Sequence, residues 1–255
     1  MDLQIPTSTL IGFTLALVRA AAFIAICPPF NSPVVPVRVR VGMATGIALA
    51  IAGPLGATLT PAAIELGPFL FALITQALAG LAFGFCIFVL FAAVQGAGEL
   101  IDLQIGFSLG AVLDPLSGVN AAPIGRFHQV LAIGILFAIN GHVLVVRGFL
   151  RSVEAVPSGT IDLATFGTEL IGLLGAFMIA IVEIGLPVLA ALFLTEVALG
   201  LIGKAAPQLN VLVIGFAAKT FVAIVLLALT VALVPAQLES LLMQSIRAGA
   251  RAFGG

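Results

Sequence analysis

Between residues 99 and 126 the chain reads E-L-I-D-L-Q-I-G-F-S-L-G-A-V-L-D-P-L-S-G-V-N-A-A-P-I-G-R. Long apolar runs flank this stretch, yet it is neither a clean helix nor an ordinary polar loop. Gly106, Gly110, Gly118 and Gly125 permit unusual backbone angles, and Pro115 and Pro123 forbid a helix from running straight through. Asp114-Pro115 starts a turn, because the residue before a proline is pushed out of helical geometry. Charges stand at Glu99, Asp102, Asp114 and Arg126, while Phe107, Leu109, Val112, Leu113 and Leu116 keep the stretch apolar. Beside lipid, so broken a backbone would leave N–H and C=O groups without partners. It is tolerated where it is buried in protein or lines a cavity. The stretch is therefore expected to be the working part of a pore or of a multi-helix assembly. The plainer reading of its residues is a buried turn joining two helical hairpins.

The composition points the same way. Of 255 residues, 62% are hydrophobic and 8% charged, and the mean hydropathy is +1.30. A soluble domain carries about 25% charged residues, so this is a membrane-class chain or one embedded in a greasy complex. The formal net charge of −1 provides no basic surface, and nucleic acid is not expected as a partner. Trp and Tyr are both absent, which removes the usual aromatic belts at a bilayer surface; the 19 Phe lack the polar handle those belts need. Cys27 and Cys86 lie within apolar runs and read as small core residues rather than a disulfide or metal site. Met1-Asp2-Leu3 has no basic n-region and Cys27-Pro28-Pro29 is a poor cleavage site, so the first apolar run is expected to remain in the mature chain.

Six apolar stretches emerge, each near or above the roughly 20 residues of a spanning helix. Residues 10–26 are opened by Thr7-Ser8-Thr9 as an N-cap and closed by Pro28-Pro29, and residues 41–59 are closed by Pro61. Residues 69–94 carry no charge, and residues 127–146 form the fourth stretch. Residues 170–206 are interrupted at 185–187, where Pro187 is expected to kink the helix. Residues 209–234 are stopped by Pro235, and residues 237–253 read as an amphipathic tail bearing Glu239, Arg247 and Arg251. The expectation is one all-α domain over residues 1–255, built of helical hairpins with broken or kinked helices.

Arg19, Glu183, Glu196 and Lys204 lie along these stretches. A charge near a bilayer centre costs about 2.5–3.5 kcal/mol on insertion scales, so each is expected to face protein or water. Ion pairing within a bundle and a transport pathway both account for them. The positive-inside rule does not orient the chain. With the N-terminus outside, Arg38, Arg40, Arg126 and Lys204 fall on one side and Arg147, Arg151, Arg247 and Arg251 on the other. Small-xxx-small patterns at residues 80–84 and 172–176 favour close helix-on-helix packing. Missing belts, balanced charges and ionisable residues within the spans together imply helices held in an assembly rather than simple bilayer spans.

No catalytic constellation is present. His128 and His142 are the only histidines, and no phosphate loop, dinucleotide fingerprint or nucleophile elbow occurs. Neither an enzymatic role nor a cofactor is expected. His142 reads as a packed histidine with one hydrogen bond in preference to a proton sensor.

Four local patterns are more specific. Arg19 is followed by Pro28-Pro29-Phe30 and Pro36-Val37-Arg38, a helix, a proline-rich break and a basic return. The central stretch contains L-Q-I-G-F-S and V-L-D-P-L-S-G. Asn140-Gly141-His142 precedes Ser152 and Pro157-Ser158-Gly159. Pro207-Gln208-Leu209-Asn210 follows Lys204 and opens the last apolar helix, with a sharp turn and Asn210 as its cap. In order and spacing these patterns resemble the FliR family of flagellar biosynthetic proteins, whose injectisome counterparts form the SctT group. The resemblance covers roughly residues 10–235, and the central motif and P-Q-L-N are its specific parts. The family often has Gln at Leu116, Asp at Asn140 and Arg at Lys204.

The resemblance implies a core subunit of the type III export gate. Such a subunit joins P- and Q-type subunits in a helical, cone-like assembly. A B-type subunit wraps the cytoplasmic entrance and a large A-type protein lies below. Unfolded flagellar proteins pass through, at the inner membrane and the flagellar basal body. The central loop of the family closes the channel at rest. This assigns a plug to Phe107, Leu109, Gly110, Val112, Leu113, Asp114, Pro115, Leu116 and Gly118. It assigns structural or assembly roles to Arg19, Pro28, Pro36, Arg38, Glu99, Gly141, His142, Pro187, Pro207, Gln208 and Asn210. A hydrophobic plug excludes ions because an ion would have to shed water. A small secondary transporter with a discontinuous-helix site near Arg19, Glu183 and Pro187 is the alternative of a different class, and an injectisome subunit the alternative within the family.

Overall fold

The computed structural model describes residues 6–32, 35–57, 65–107, 122–157 and 163–252. Among them all regular structure is helical. In chain order the helices are α1 (Thr7–Ile26), α2 (Pro28–Asn31), α3 (Val37–Ala57), α4 (Leu66–Ile105), α5 (Pro123–Ala138), α6 (Gly141–Ala155), α7 (Leu163–Ala205), α8 (Val211–Thr230) and α9 (Val234–Ala252), with a 3₁₀ turn (Val231–Leu233) between the last two. Among the described residues, five helical stretches are long and apolar enough to cross a membrane, and the bent pair α5–α6 would make a sixth.

Several boundaries depart from the apolar runs, each for a physical reason. The first helix is capped by Pro6 without a side-chain hydrogen bond, so the Thr7-Ser8-Thr9 cluster lies inside its first turn. The third starts at Val37 and takes in Arg38 and Arg40. Arg40 folds back to donate to the carbonyls of Val35 (3.1 Å) and Ser32 (2.8 Å), which makes the early charge tolerable. The fourth continues past the apolar run through Glu99 and Asp102 to Ile105. The opening quarter of the central stretch is therefore helix and not loop. The apolar run at 127–146 is two helices, bent by 78°. Asn140, at φ 57°, takes the left-handed conformation that an Asn-Gly pair favours, and it ends the first helix there. Pro187 lies inside one helix of 43 residues and does not divide it. Pro235 falls in the first turn of α9, where its missing N–H has no partner to lose; the break is the 3₁₀ turn before it.

The chain is organised in two compact units of interleaved segments. One comprises Met1–Leu90, Ile139–Leu174 and Leu242–Gly255, and the other Phe91–Ala138 and Gly175–Leu241. In the first unit α1 packs along α3, and Gly12 meets the backbone of Gly56 so closely that a Cβ would stand 2.8 Å from its Cα. The glycine pattern at 80–84 is used in the same way, since Gly80 faces the Arg19 carbonyl and Gly84 that of Phe23. Gly172 of the other pattern has open space around it. The core beneath is aromatic. Phe23 stacks on Phe149 at 4.4 Å and meets Phe30 and Phe83 at 5.9 Å. The second unit centres on Ile101, Ile105, Ile124, Val188, Leu192, Ala223 and Leu227. Much of α7 and α8 stays outside it, with Phe193, Leu212, Phe221 and Leu229 exposed.

Candidate functional site

The two helices that bracket residues 108–121 are tied together by Asp102. Its backbone carbonyl accepts from the N–H groups of Gly106 and Phe107, both at 3.1 Å, where Gly106 at φ 106° ends α4 in the left-handed conformation. Its side chain, fully buried, accepts from Ile124 N at 3.1 Å and Gly125 N at 2.8 Å, the first free donors of α5. A carboxylate at a helix N-terminus also meets the positive end of the macrodipole. One residue thus terminates α4 and starts α5. Glycine is needed alongside it: a Cβ on Gly98 would come within 2.7 Å of Gly125 Cα. Asp102 was visible in the sequence as a charge in an apolar context, but its role depends on a partner 22 residues away.

Phe107, half-buried, packs on the second unit's core and meets Phe216 edge-to-face at 5.4 Å. A cavity of about 410 Å³, almost wholly apolar, opens beside it between Ile105, Pro123, Phe127, Ile224 and Leu227. Its walls are the last residues of α4, the first of α5, and α8.

Below this region a polar network ties three helices. Lys219 of α8 pairs with Glu196 of α7 at 3.3 Å and donates to the Gln104 carbonyl of α4 at 3.3 Å, while the Gln104 amide donates to Glu196 at 2.9 Å. Lys219 lies in the apolar helix α8 and was missed among the sequence charges. A lysine inside the run at 209–234 was the signal that could have found it.

In the first unit Arg19 is completely buried. Its guanidinium donates to the carbonyls of Ser152 (2.8 Å) and Val156 (3.0 Å), to Ser152 Oγ (3.2 Å) and to Gln76 Oε1 (3.2 Å). The planar fork caps the C-terminal carbonyls of α6, the negative end of that helix. Gln76 also donates to Pro157 O at 2.6 Å and holds the chain as it leaves α6. Arg19 is thus held by hydrogen bonds to helix carbonyls, Ser152 Oγ and Gln76, which are neutral acceptors.

The other sequence-selected residues are spread widely. Leu109, Gly110, Val112, Leu113, Asp114, Pro115, Leu116 and Gly118 lie outside the described residues. Glu99 is exposed and accepts from Gln95 at 2.8 Å. Pro28 opens α2, Pro36 precedes α3, and Arg38 is exposed. Gly141 is buried at the α5–α6 bend and His142 is half-buried beside it. Pro187 is exposed on α7. Pro207 and Gln208 form an exposed turn closed by Leu209 N to Ala206 O at 3.1 Å, and Asn210 caps α8 by accepting from Val213 N at 3.4 Å. Among the described residues no three His, Cys, Asp or Glu side chains are grouped so as to hold a metal ion.

Long apolar helices, in which Arg19, Asp102, Glu196 and Lys219 cap or tie one helix to another, define an all-α, membrane-class protein. The family is then specific. Residues 10–245 match the bacterial export proteins, family 1, and the chain belongs to that family, which is also that of FliR. It is 32% identical to the flagellar biosynthetic protein FliR of Bacillus subtilis over 224 residues, covering 85% of this chain and 84% of the relative. To FliR of Escherichia coli it is 34% identical over 219 residues, 83% and 81% of the two chains. To the surface presentation of antigens protein SpaR of Shigella flexneri it is 25% identical over 155 residues, 60% of each. The chain is a subunit of a type III protein export apparatus, an integral membrane component that assembles with other export proteins.

Proposed function

We propose that this chain is a non-enzymatic core subunit of the flagellar export gate, seated in the inner membrane at the basal body. It assembles there with P- and Q-type subunits, and with B- and A-type export proteins beside them, to form the channel for unfolded flagellar proteins. The 32% and 34% identity to FliR of Bacillus subtilis and Escherichia coli over more than four fifths of the chain, against 25% to SpaR over 60%, favours the flagellar system over an injectisome. Residues 107–120 act as the plug, with Phe107, Leu109, Val112, Leu113 and Leu116 supplying the apolar seal. The observation that carries this reading is the anchoring of both flanks by Asp102. Asp102 accepts from Phe107 N on one side and from Ile124 N and Gly125 N on the other.

Co-expression with and without the P- and Q-type subunits, followed by native mass measurement after mild extraction, tests the assembly. Recovery only as a hetero-complex is expected, and a stable lone monomer would sink it. Deleting residues 107–120 is expected to raise ion leakage through the assembled complex; normal assembly with unchanged leakage removes the plug.

A further inference from the structure

The first turn of α5 has two backbone donors to place. Pro123 has no N–H, and Arg126 N already donates to Ala122 O at 3.1 Å. The donors of Ile124 and Gly125 go to the two oxygens of Asp102, at 3.1 and 2.8 Å. The peptide group that makes the second of these bonds is also held at its other end. Its carbonyl is that of Ile124, and His128 Nδ1 lies 3.0 Å from that oxygen. A carbonyl can only accept, so Nδ1 carries the proton and donates it. One peptide thus stands between two side chains. It accepts from the imidazole on α5 and donates to the carboxylate on α4.

The surroundings keep this run of bonds dry and in line. Asp102 is 0% and His128 3% exposed, and Ile124 and Gly125 between them are buried. Backbone is pressed on backbone here: a Cβ on Gly125 would stand 2.7 Å from Glu99 Cγ, and one on Gly98 would stand 2.7 Å from Gly125 Cα. Asp102 is also the charged group that acts on the imidazole. In a site of low dielectric, a donor on a peptide carbonyl polarises the whole group and strengthens the bond its N–H makes, by about 10–30% per bond.

We propose that His128 is a positioning residue for the joint between α4 and α5. Through the Ile124–Gly125 peptide it aims and strengthens the bond that Asp102 receives from Gly125. The imidazole acts through the peptide, and the working atom is Nδ1. The role goes beyond the plug reading and is separate from it, because it does not depend on how residues 108–121 are placed.

The test is hydrogen exchange at the Gly125 amide in the complete export complex, read at residue resolution. His128→Leu keeps an apolar side chain but has no donor, and it is expected to speed exchange about three- to tenfold, the worth of one hydrogen bond. His128→Asn places its Nδ2 where Nδ1 stood, and should stay within about twofold of wild type. His128→Gln carries its amide one carbon further out and should behave as the leucine variant; it replaces that variant if the leucine complex does not assemble. In an Asp102→Asn background, changing the histidine to leucine should add less than about twofold. Equal acceleration by leucine in both backgrounds means that His128 only fills space, and overturns the proposal. An asparagine variant as fast as the leucine one, or exchange that leucine leaves unchanged, overturns it as well. Each of these failures leaves the plug reading untouched, since that reading is tested by ion leakage.

Discussion

Replacing Asp102 by Ala should destabilise the chain more than any other single change near the central stretch. The carboxylate is buried and accepts from two backbone donors, Ile124 N and Gly125 N, at 3.1 and 2.8 Å. Losing a helix cap costs about 1–2 kcal/mol, and a hydrogen bond to a charged group contributes about 1.5–3 kcal/mol. Two donors left bare would set the loss at about 3–5 kcal/mol on those values, and relief of the buried carboxylate's own desolvation lowers it to about 2–4 kcal/mol. Asp102→Asn keeps one accepting oxygen but turns an NH₂ toward the second donor, and is expected to lose roughly half as much. The assay is reversible unfolding in mixed micelles, with the surviving hetero-complex measured in parallel. Gly98→Ala provides an independent arm. Its Cβ would press on Gly125 at 2.7 Å and displace the same helix start, whereas Gly134→Ala, with nothing within 4 Å, should stay within about 0.5 kcal/mol of wild type. If the Asp102 variants unfold within about 0.5 kcal/mol of wild type while Gly98→Ala does not, the side chain does not hold the two helices together.

Arg19→Lys should be damaging although it keeps the charge. One ammonium cannot satisfy acceptors on Ser152, Val156 and Gln76 together, so a loss of about 2–3 kcal/mol is expected in the same unfolding assay; a neutral result would show that the fork geometry is irrelevant. For the Lys219–Glu196 pair, where the carboxylate side chain is 55% exposed, a double-mutant cycle with Lys219→Met and Glu196→Gln should give a coupling of only about 0.5–1 kcal/mol. Zero coupling would mean that α7 and α8 are held by apolar contact alone.

The positions of the main helices were legible because hydropathy is a local property of the chain. What failed were the edges, and each failure has a side-chain cause. The charge-free run ended at residue 94, but α4 continues to Ile105 because Glu99 is exposed and Asp102 is satisfied by a neighbouring helix start. The single apolar run at 127–146 concealed a 78° bend, although Asn140-Gly141 was in view as a turn dipeptide. Pro187 looked like an interruption, and the helix runs on past it, losing only the N–H that proline lacks.

By itself, then, the sequence determined an all-α membrane-class chain and, through its central motif and P-Q-L-N, its family. These depend on residue type and spacing along one dimension. Only the tertiary structure decided what the intramembrane charges do. Arg19 closes α6, Asp102 joins α4 to α5, and Lys219 ties α7 and α8 to α4. A charge in an apolar run announces that a partner must exist, because burying it alone is too costly. Which partner meets it is set by helix packing between residues that are 22 to 137 positions apart, and local pattern carries no record of that.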